Sequence, residues 1–203
     1  MINTQRLLST LLGLGVLGLT GTAAAAPQTH DGFYFRGATG LGYFHTSASQ
    51  GAFNESVSGL AIGFDAWFGG SPMPGLAIGG GITSYDVPSP SLKVNGTSVP
   101  GSSGHYLESI VAVFGDYYFD PTKGLHLEAM AGFADLSFQA ANGATSTNDP
   151  TGLALGAGFG NDWWVSDEWS IGVLGRVIYA PLSTSGVSFS TLTPAVMANF
   201  TFN

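Results

Sequence analysis

The sequence predicts an all-β fold: an eight-stranded antiparallel up-and-down transmembrane β-barrel. Three observations predict it. Apolar residues recur at every second position in eight successive segments, the period of a strand with one oily face. The joints between segments alternate between tight and long. Aromatic residues gather at the segment ends. The amphipathic helical period is nearly absent.

Composition narrows the class before any residue is placed. The chain has 203 residues, 31 of them Gly, without a collagen repeat, and only 9% are charged. A charged disordered chain is excluded. A net charge of −8 leaves no basic footprint for nucleic acid. Cysteine is absent, so disulfides, thiolate metal sites and Cys nucleophiles are excluded as well.

Residues 1–26 read as a secretory signal peptide and 27–203 as the barrel domain. Arg6 supplies the positive start, Leu7–Leu19 the apolar run, and Ala23-x-Ala25 the small residues for cleavage. That run is too short to span a bilayer as a helix, and no later run approaches the ~18–20 apolar residues a helix needs.

The eight segments are Gly32–His45, Val57–Phe68, Gly75–Tyr85, His105–Phe119, Gly124–Phe138, Thr151–Val165, Glu168–Leu182 and Val187–Phe202. In the second, Leu60, Ile62, Phe64, Ala66 and Phe68 oppose Gly59, Ala61, Gly63, Asp65 and Trp67. The sixth opposes Leu153, Leu155, Ala157 and Phe159 to a row of Gly, Ala and Asp162, and the seventh sets Ile171, Val173, Val177 and Tyr179 against Gly172, Leu174, Arg176 and Ile178. The apolar face is large, and the other face carries too little charge to be a water-facing exterior. The apolar face therefore belongs in lipid and the small-residue face in a narrow lumen. Lipid cannot satisfy a free strand edge, so the sheet closes.

Tight joints fall at Gly69–Pro74, Asp120–Lys123 and Ser166–Asp167, and long ones at 47–56, 86–104 and 140–150, with a short fourth at Ser183–Gly186. Short joints mark the periplasmic side and long ones the outer side. Phe33, Phe35, Phe68, Tyr117, Phe119, Trp163, Trp169, Phe200 and Phe202 form an outward girdle near the tight joints, with Tyr43 and Tyr179 at the other end. Two irregularities call for bulges: Pro194 inside the last segment, and a change of phase near Ala134 and Asp135 that leaves Leu136 and Phe138 out of step.

Arg36, Asp65, Asp116, Glu128 and Asp162 point inward near the periplasmic end, Arg176 lies at mid-height, and Glu108 near the top. Isolated charges in such a lumen are costly, so an Arg–carboxylate network that plugs the barrel is expected. Enzymatic signals are weak. His105 and Ser109 share the outward face but stand ~13 Å apart at i and i+4 of a strand; Glu108 points away, and Asp86, His45 and His126 complete no set. Gly156-Ala-Gly-Phe-Gly160 precedes no helix, which argues against a nucleotide loop. No catalytic, cofactor or metal site is expected.

The leader, the alternating segments, the joint pattern and the finish Asn199-Phe-Thr-Phe-Asn203 together resemble the small Gram-negative outer-membrane β-barrels of the OmpA/OmpX-like type, over Gly32–Phe202. The resemblance implies a porin-like barrel in outer-membrane lipid, inserted by the assembly machinery that reads a terminal aromatic. Here Phe202 is followed by Asn203, and Met197 stands where the family places Gly. The expected role is structural or surface-interacting, with an extracellular ligand met through loops 47–56, 86–104 and 140–150. The alternatives are a narrow cation or proton channel, a lipid-modifying outer-membrane enzyme, and a soluble lipocalin-like carrier in the periplasm.

Overall fold

A computed structural model describes residues 28–50, 53–99, 104–140 and 148–203. The expected signal peptide at 1–26 and most of the 140–150 joint lie outside the described residues. Ten strands follow in chain order: β1 (Gly32–Gln50), β2 (Phe53–Met73), β3 (Leu76–Val87), β4 (Ser91–Val94), β5 (Thr97–Ser98), β6 (Gly104–Tyr118), β7 (Gly124–Ala140), β8 (Thr151–Trp164), β9 (Trp169–Thr184) and β10 (Val187–Phe202). Eight of them, all but β4 and β5, pair with their chain neighbours antiparallel, and β1 meets β10 to close the barrel.

The inside–outside assignment follows the sequence alternation. Burial in β9 alternates without a break from Trp169 to Leu182. Leu60 is 61% exposed, Leu155 57% and Val173 46%, all on the outer wall. That excludes the soluble carrier, whose bulky apolar residues would fill the interior. Inner-face glycines make room for the largest lumen side chains: Gly81 faces Trp67 across the ladder and Gly160 faces His126. A Cβ at Gly160 would lie 2.6 Å from the His126 ring. The Gly156–Gly160 run is therefore a strand lining, not a phosphate cradle.

Neither expected bulge forms. The β6–β7 and β7–β8 ladders keep one register throughout, and Leu136 and Phe138 simply point inward. Phe138 packs on Tyr106 with ring centroids 4.8 Å apart. Pro194 stays opposite Val177 of β9. On its other side the β1–β10 ladder omits Tyr43 and Phe44 against Thr193 and Pro194, then resumes unshifted at His45 and Leu192. Proline has no N–H to donate, so the seam loses pairing there without losing register. The irregularity that does occur lies in β2 between Gly70 and Met73.

The joints also differ from expectation. Gly69–Met73 continues β2, so the tight joint is Pro74–Gly75, with Gly75 in the left-handed region at φ 82°. Residues 47–50 and 53–56 are paired strand instead of loop. Residues 86–104 contain a second hairpin, β4–β5, laid along β2 from Ser58 to Glu55. Its turn is Asn95–Gly96, with φ of 48° and 80°, the backbone a two-residue hairpin of matching twist requires. In the Asp120–Lys123 turn, Asp120 accepts hydrogen bonds from Thr122 N (3.0 Å) and Thr122 Oγ1 (2.8 Å). The Lys123 ammonium, first, and Thr122 hold the Asp120 carboxyl down to about 2.

Candidate functional site: the charged lumen

Inward phase places the charges, and register brings them together. Asp116 and Glu128 are direct ladder partners on β6 and β7, and Asp65 faces Thr83 across β2–β3. Arg36 reaches from β1 across the lumen, where Nη1 donates to Asp116 Oδ2 at 2.7 Å and Nη2 donates to Glu128 Oε2. Arg176 of β9 donates through Nε to Glu128 Oε1 (2.6 Å) and through Nη2 to Glu128 Oε2 (3.0 Å). The same Nη2 lies 2.8 Å from Asp65 Oδ2. Five of the seven expected charges thus form one chain, Asp116–Arg36–Glu128–Arg176–Asp65, and every one of these side chains has no exposed surface.

The other two take no arginine. Asp162 accepts from Tyr118 Oη (3.0 Å) and Asn199 Nδ2 (2.9 Å). Glu108, higher up, accepts from Thr193 Oγ1 at 3.0 Å, and its Oε1 has no partner among the described residues. Neutral donors do this work throughout: Tyr34 donates to Asp116 at 2.6 Å and Thr83 to Asp65 at 2.5 Å. Sequence reasoning overlooked Tyr34, Thr83, Tyr118, Thr193 and Asn199 as partners. All five occupy the inward phase of their strands, and that was the available signal. Around the chain, Trp67 packs on Phe114 (5.2 Å) and lies 5.8 Å from the Arg176 guanidinium.

Residues 28–31 cross the periplasmic mouth beneath this network. Gln28 N donates to Asp167 O (2.8 Å), His30 N to Pro121 O (2.7 Å), and Gly75 N to His30 O (2.8 Å). The strap is thereby stitched to three different turns. Its His30 ring is fully buried, stacked on Tyr118 at 3.5 Å and tilted against Trp164 at 4.5 Å. Burial pushes the His30 imidazole down to about 4, against the opposing pull of the Asp162 carboxylate. His126 lies tilted against the same Tyr118 ring at 4.8 Å, with Nδ1 2.8 Å from Gly124 O.

On the outside the girdle residues touch one another. Phe35 packs on Phe68 (4.9 Å) and Phe200 (5.7 Å), Phe202 on Phe33 (6.1 Å) and Trp169 (5.1 Å), and Tyr117 on Phe119 (5.7 Å). Trp163 is exposed at the same end, and Tyr43 and Tyr179 at the other. Of the enzymatic candidates, Asp86 and His105 are brought together, with Oδ1 and Nδ1 3.5 Å apart. Ser109 lies opposite Ser84, farther down β6, and joins neither.

Among solved structures, Neisserial surface protein A (NspA) is 16% identical over 84% of this chain and 96% of its own, with a TM-score of 0.52, which is a likeness of fold. OprG from Pseudomonas aeruginosa is 14% identical over 87% of this chain and 98% of its own (TM-score 0.48). Ail, the attachment invasion locus protein of Yersinia pestis, is 14% identical over 83% and 99% (TM-score 0.44). No curated protein matches the sequence. Residues 33–198 match the family described as the autotransporter beta-domain. With an oily wall turned outward around a closed eight-stranded barrel, the chain is an outer-membrane protein, and it belongs to the autotransporter beta-domain family.

Proposed function

We propose that this barrel acts at its outer face, as a structural or surface-interaction protein, and that its lumen is a plug. The observation that carries the proposal is the continuous chain from Asp116 to Asp65, in which both arginines are shared between carboxylates and none of the five side chains is exposed. Eight strands leave an interior just wide enough for side chains to fill. A permeating ion would have to separate buried pairs, each of which is strongly unfavourable to break. The strap at residues 28–31 adds a second closure at the periplasmic mouth. Single-channel recording in planar bilayers tests the reading. A silent baseline is expected, and steady cation-selective steps overturn it.

One observation favours a second reading, lipid modification: the Asp86–His105 pair on the outward wall near the outer end. The nearest serine on that face of β6, Ser109, is four residues from His105, ~13 Å along the strand. A nucleophile and its base need hydrogen-bond contact. Mass spectrometry of lipid A from cells with and without the protein is expected to show identical profiles, and a mass difference would favour the enzyme.

A further inference from the structure

Above the plug, the barrel opens outward into a cavity of about 220 Å³. Its apolar walls are Tyr106, Phe138, Phe189 and Leu136, and its polar lining includes the carboxylates of Glu55 and Asp149. Asp149 Oδ1 is buried and has no hydrogen-bond partner among the described residues. Among the described residues, no basic side chain lines the cavity. The full chain has five Lys and Arg, and apart from Arg6 of the expected leader they are Arg36 and Arg176 in the plug, Lys123 in a periplasmic turn, and Lys93. Lys93 is exposed, on the opposite side of β4 from Leu92, which packs toward the core. On the inner face, Glu108 lies two residues along β6 from Tyr106 and directly across the ladder from Leu136. Its Oε1 is also without a donor among the described residues.

Aromatic walls and carboxylates without a cation are the two halves of an organic-ammonium site. Ring faces attract a cation through their quadrupole and take up its apolar shell. The carboxylates add charge that no other described residue of the lining neutralises. Inorganic cations gain little from apolar walls, and anions are repelled. The volume lies below the ~300 Å³ at which drug-sized pockets begin, so the occupant is small.

We infer that the outer vestibule binds a small organic cation of the alkylammonium type, held between the Tyr106, Phe138 and Phe189 rings and the Glu55 and Asp149 carboxylates. The inference rests on the outer face being the working face, but it does not require the lumen to be closed. A conductance result therefore leaves it standing, and a binding failure leaves the plug standing.

The test uses the whole folded barrel in a maltoside micelle, which contains no ammonium group. Choline is titrated while the broadening of its methyl proton signal is followed, and 3,3-dimethylbutan-1-ol serves as the neutral probe of the same shape. Choline is expected to saturate, and the alcohol to bind at least about tenfold more weakly. Glu55→Gln and Asp149→Asn should each weaken choline about fivefold. Phe138→Leu should weaken it with the charges intact. Each variant is first checked for heat-modifiable gel migration, so that loss of binding is read only on folded barrels. Three results each overturn the inference: no saturable choline binding, equal binding of both probes, or choline binding unchanged in both carboxylate variants. Zwitterionic phosphocholine vesicles form a separate arm. Competition by vesicles would assign the same ammonium chemistry to a lipid headgroup, and absence of competition would assign it to a free solute.

Discussion

Replacing Arg36 by methionine keeps the bulk of the side chain and removes its charge and donors. Two carboxylates lose a partner, but unequally. Glu128 keeps Arg176 on both oxygens, at 2.6 and 3.0 Å. Among the described residues Asp116 keeps only the Tyr34 hydroxyl, at 2.6 Å, and its Oδ1 already has no partner. Asp116 also faces Glu128 across the ladder, so two like charges remain adjacent in a medium that screens them poorly. Removing one member of a fully buried pair costs about 3–5 kcal/mol. For a chain of this size that corresponds to a fall of roughly 6–20 °C in midpoint. The assay is the temperature at which the compact, heat-modifiable gel band converts to the unfolded one, backed by urea unfolding in vesicles. Arg36→Met combined with Asp116→Asn removes the orphaned charge and should recover more than half of the loss. A single variant weaker by less than about 1 kcal/mol, or a double variant as unstable as the sum of its parts, would refute the reasoning.

Three further outcomes are expected. Val173→Arg places a charge on the lipid face between the Trp169 and Tyr179 ends of β9, and should destabilise by about 2–4 kcal/mol, whereas Ser188→Arg beyond the bilayer should stay within about 0.5 kcal/mol, both by urea unfolding in vesicles. The neutral His30 ring is favoured in the folded strap, with its pKa near 4 against 6.5. The unfastened strap therefore binds the extra proton. Strap stability should be full above about pH 6.5, decline as pH falls toward 4, and lose about 3 kcal/mol overall. The groups facing the ring include Tyr118, His126, Asp162, Trp164 and Asn203. Exchange of the Gly75 amide, which donates to His30 O, reports the opening, and His30→Phe should flatten its pH dependence. Gly160→Val drives a branched side chain into the His126 ring and should destabilise by about 1–3 kcal/mol, with a matching drop in the gel-shift midpoint.

The wall was legible because lipid enforces it. With hydrocarbon outside and a narrow lumen inside, every strand must alternate, and Leu60, Leu155 and Val173 show the period without any knowledge of neighbours. The lumen was less legible, since identity of the inward residues follows from phase but their partners follow from register and from reach across the barrel. Nothing near Arg36 in sequence points to Asp116, which lies 80 positions away. The bulge expectation at Ala134 failed for a related reason. It treated Leu136 and Phe138 as lipid-facing because they are large, whereas the upper lumen is itself apolar and accommodates them beside Tyr106. The β4–β5 hairpin did carry a local signal, Asn95–Gly96, which the polar run around it obscured.

The placement of Asp116 directly across from Glu128 has a consequence for how the cylinder forms. A freshly made hairpin of β6 and β7 sets two anions side by side, an arrangement that disfavours the pair in isolation. The neutralising guanidinium comes from β1, three ladders away through β2 and β3, and meets them only when the sheet curls so that it can reach across the lumen. Open intermediates are thus deprived of the bond that the finished molecule holds. A two-residue slip of the β1–β10 seam would carry Arg176 of β9 ~7 Å along the axis from Asp65 of β2, out of range of their 2.8 Å contact. The buried ions act as a gauge of correct zippering, favouring one register of closure over its neighbours.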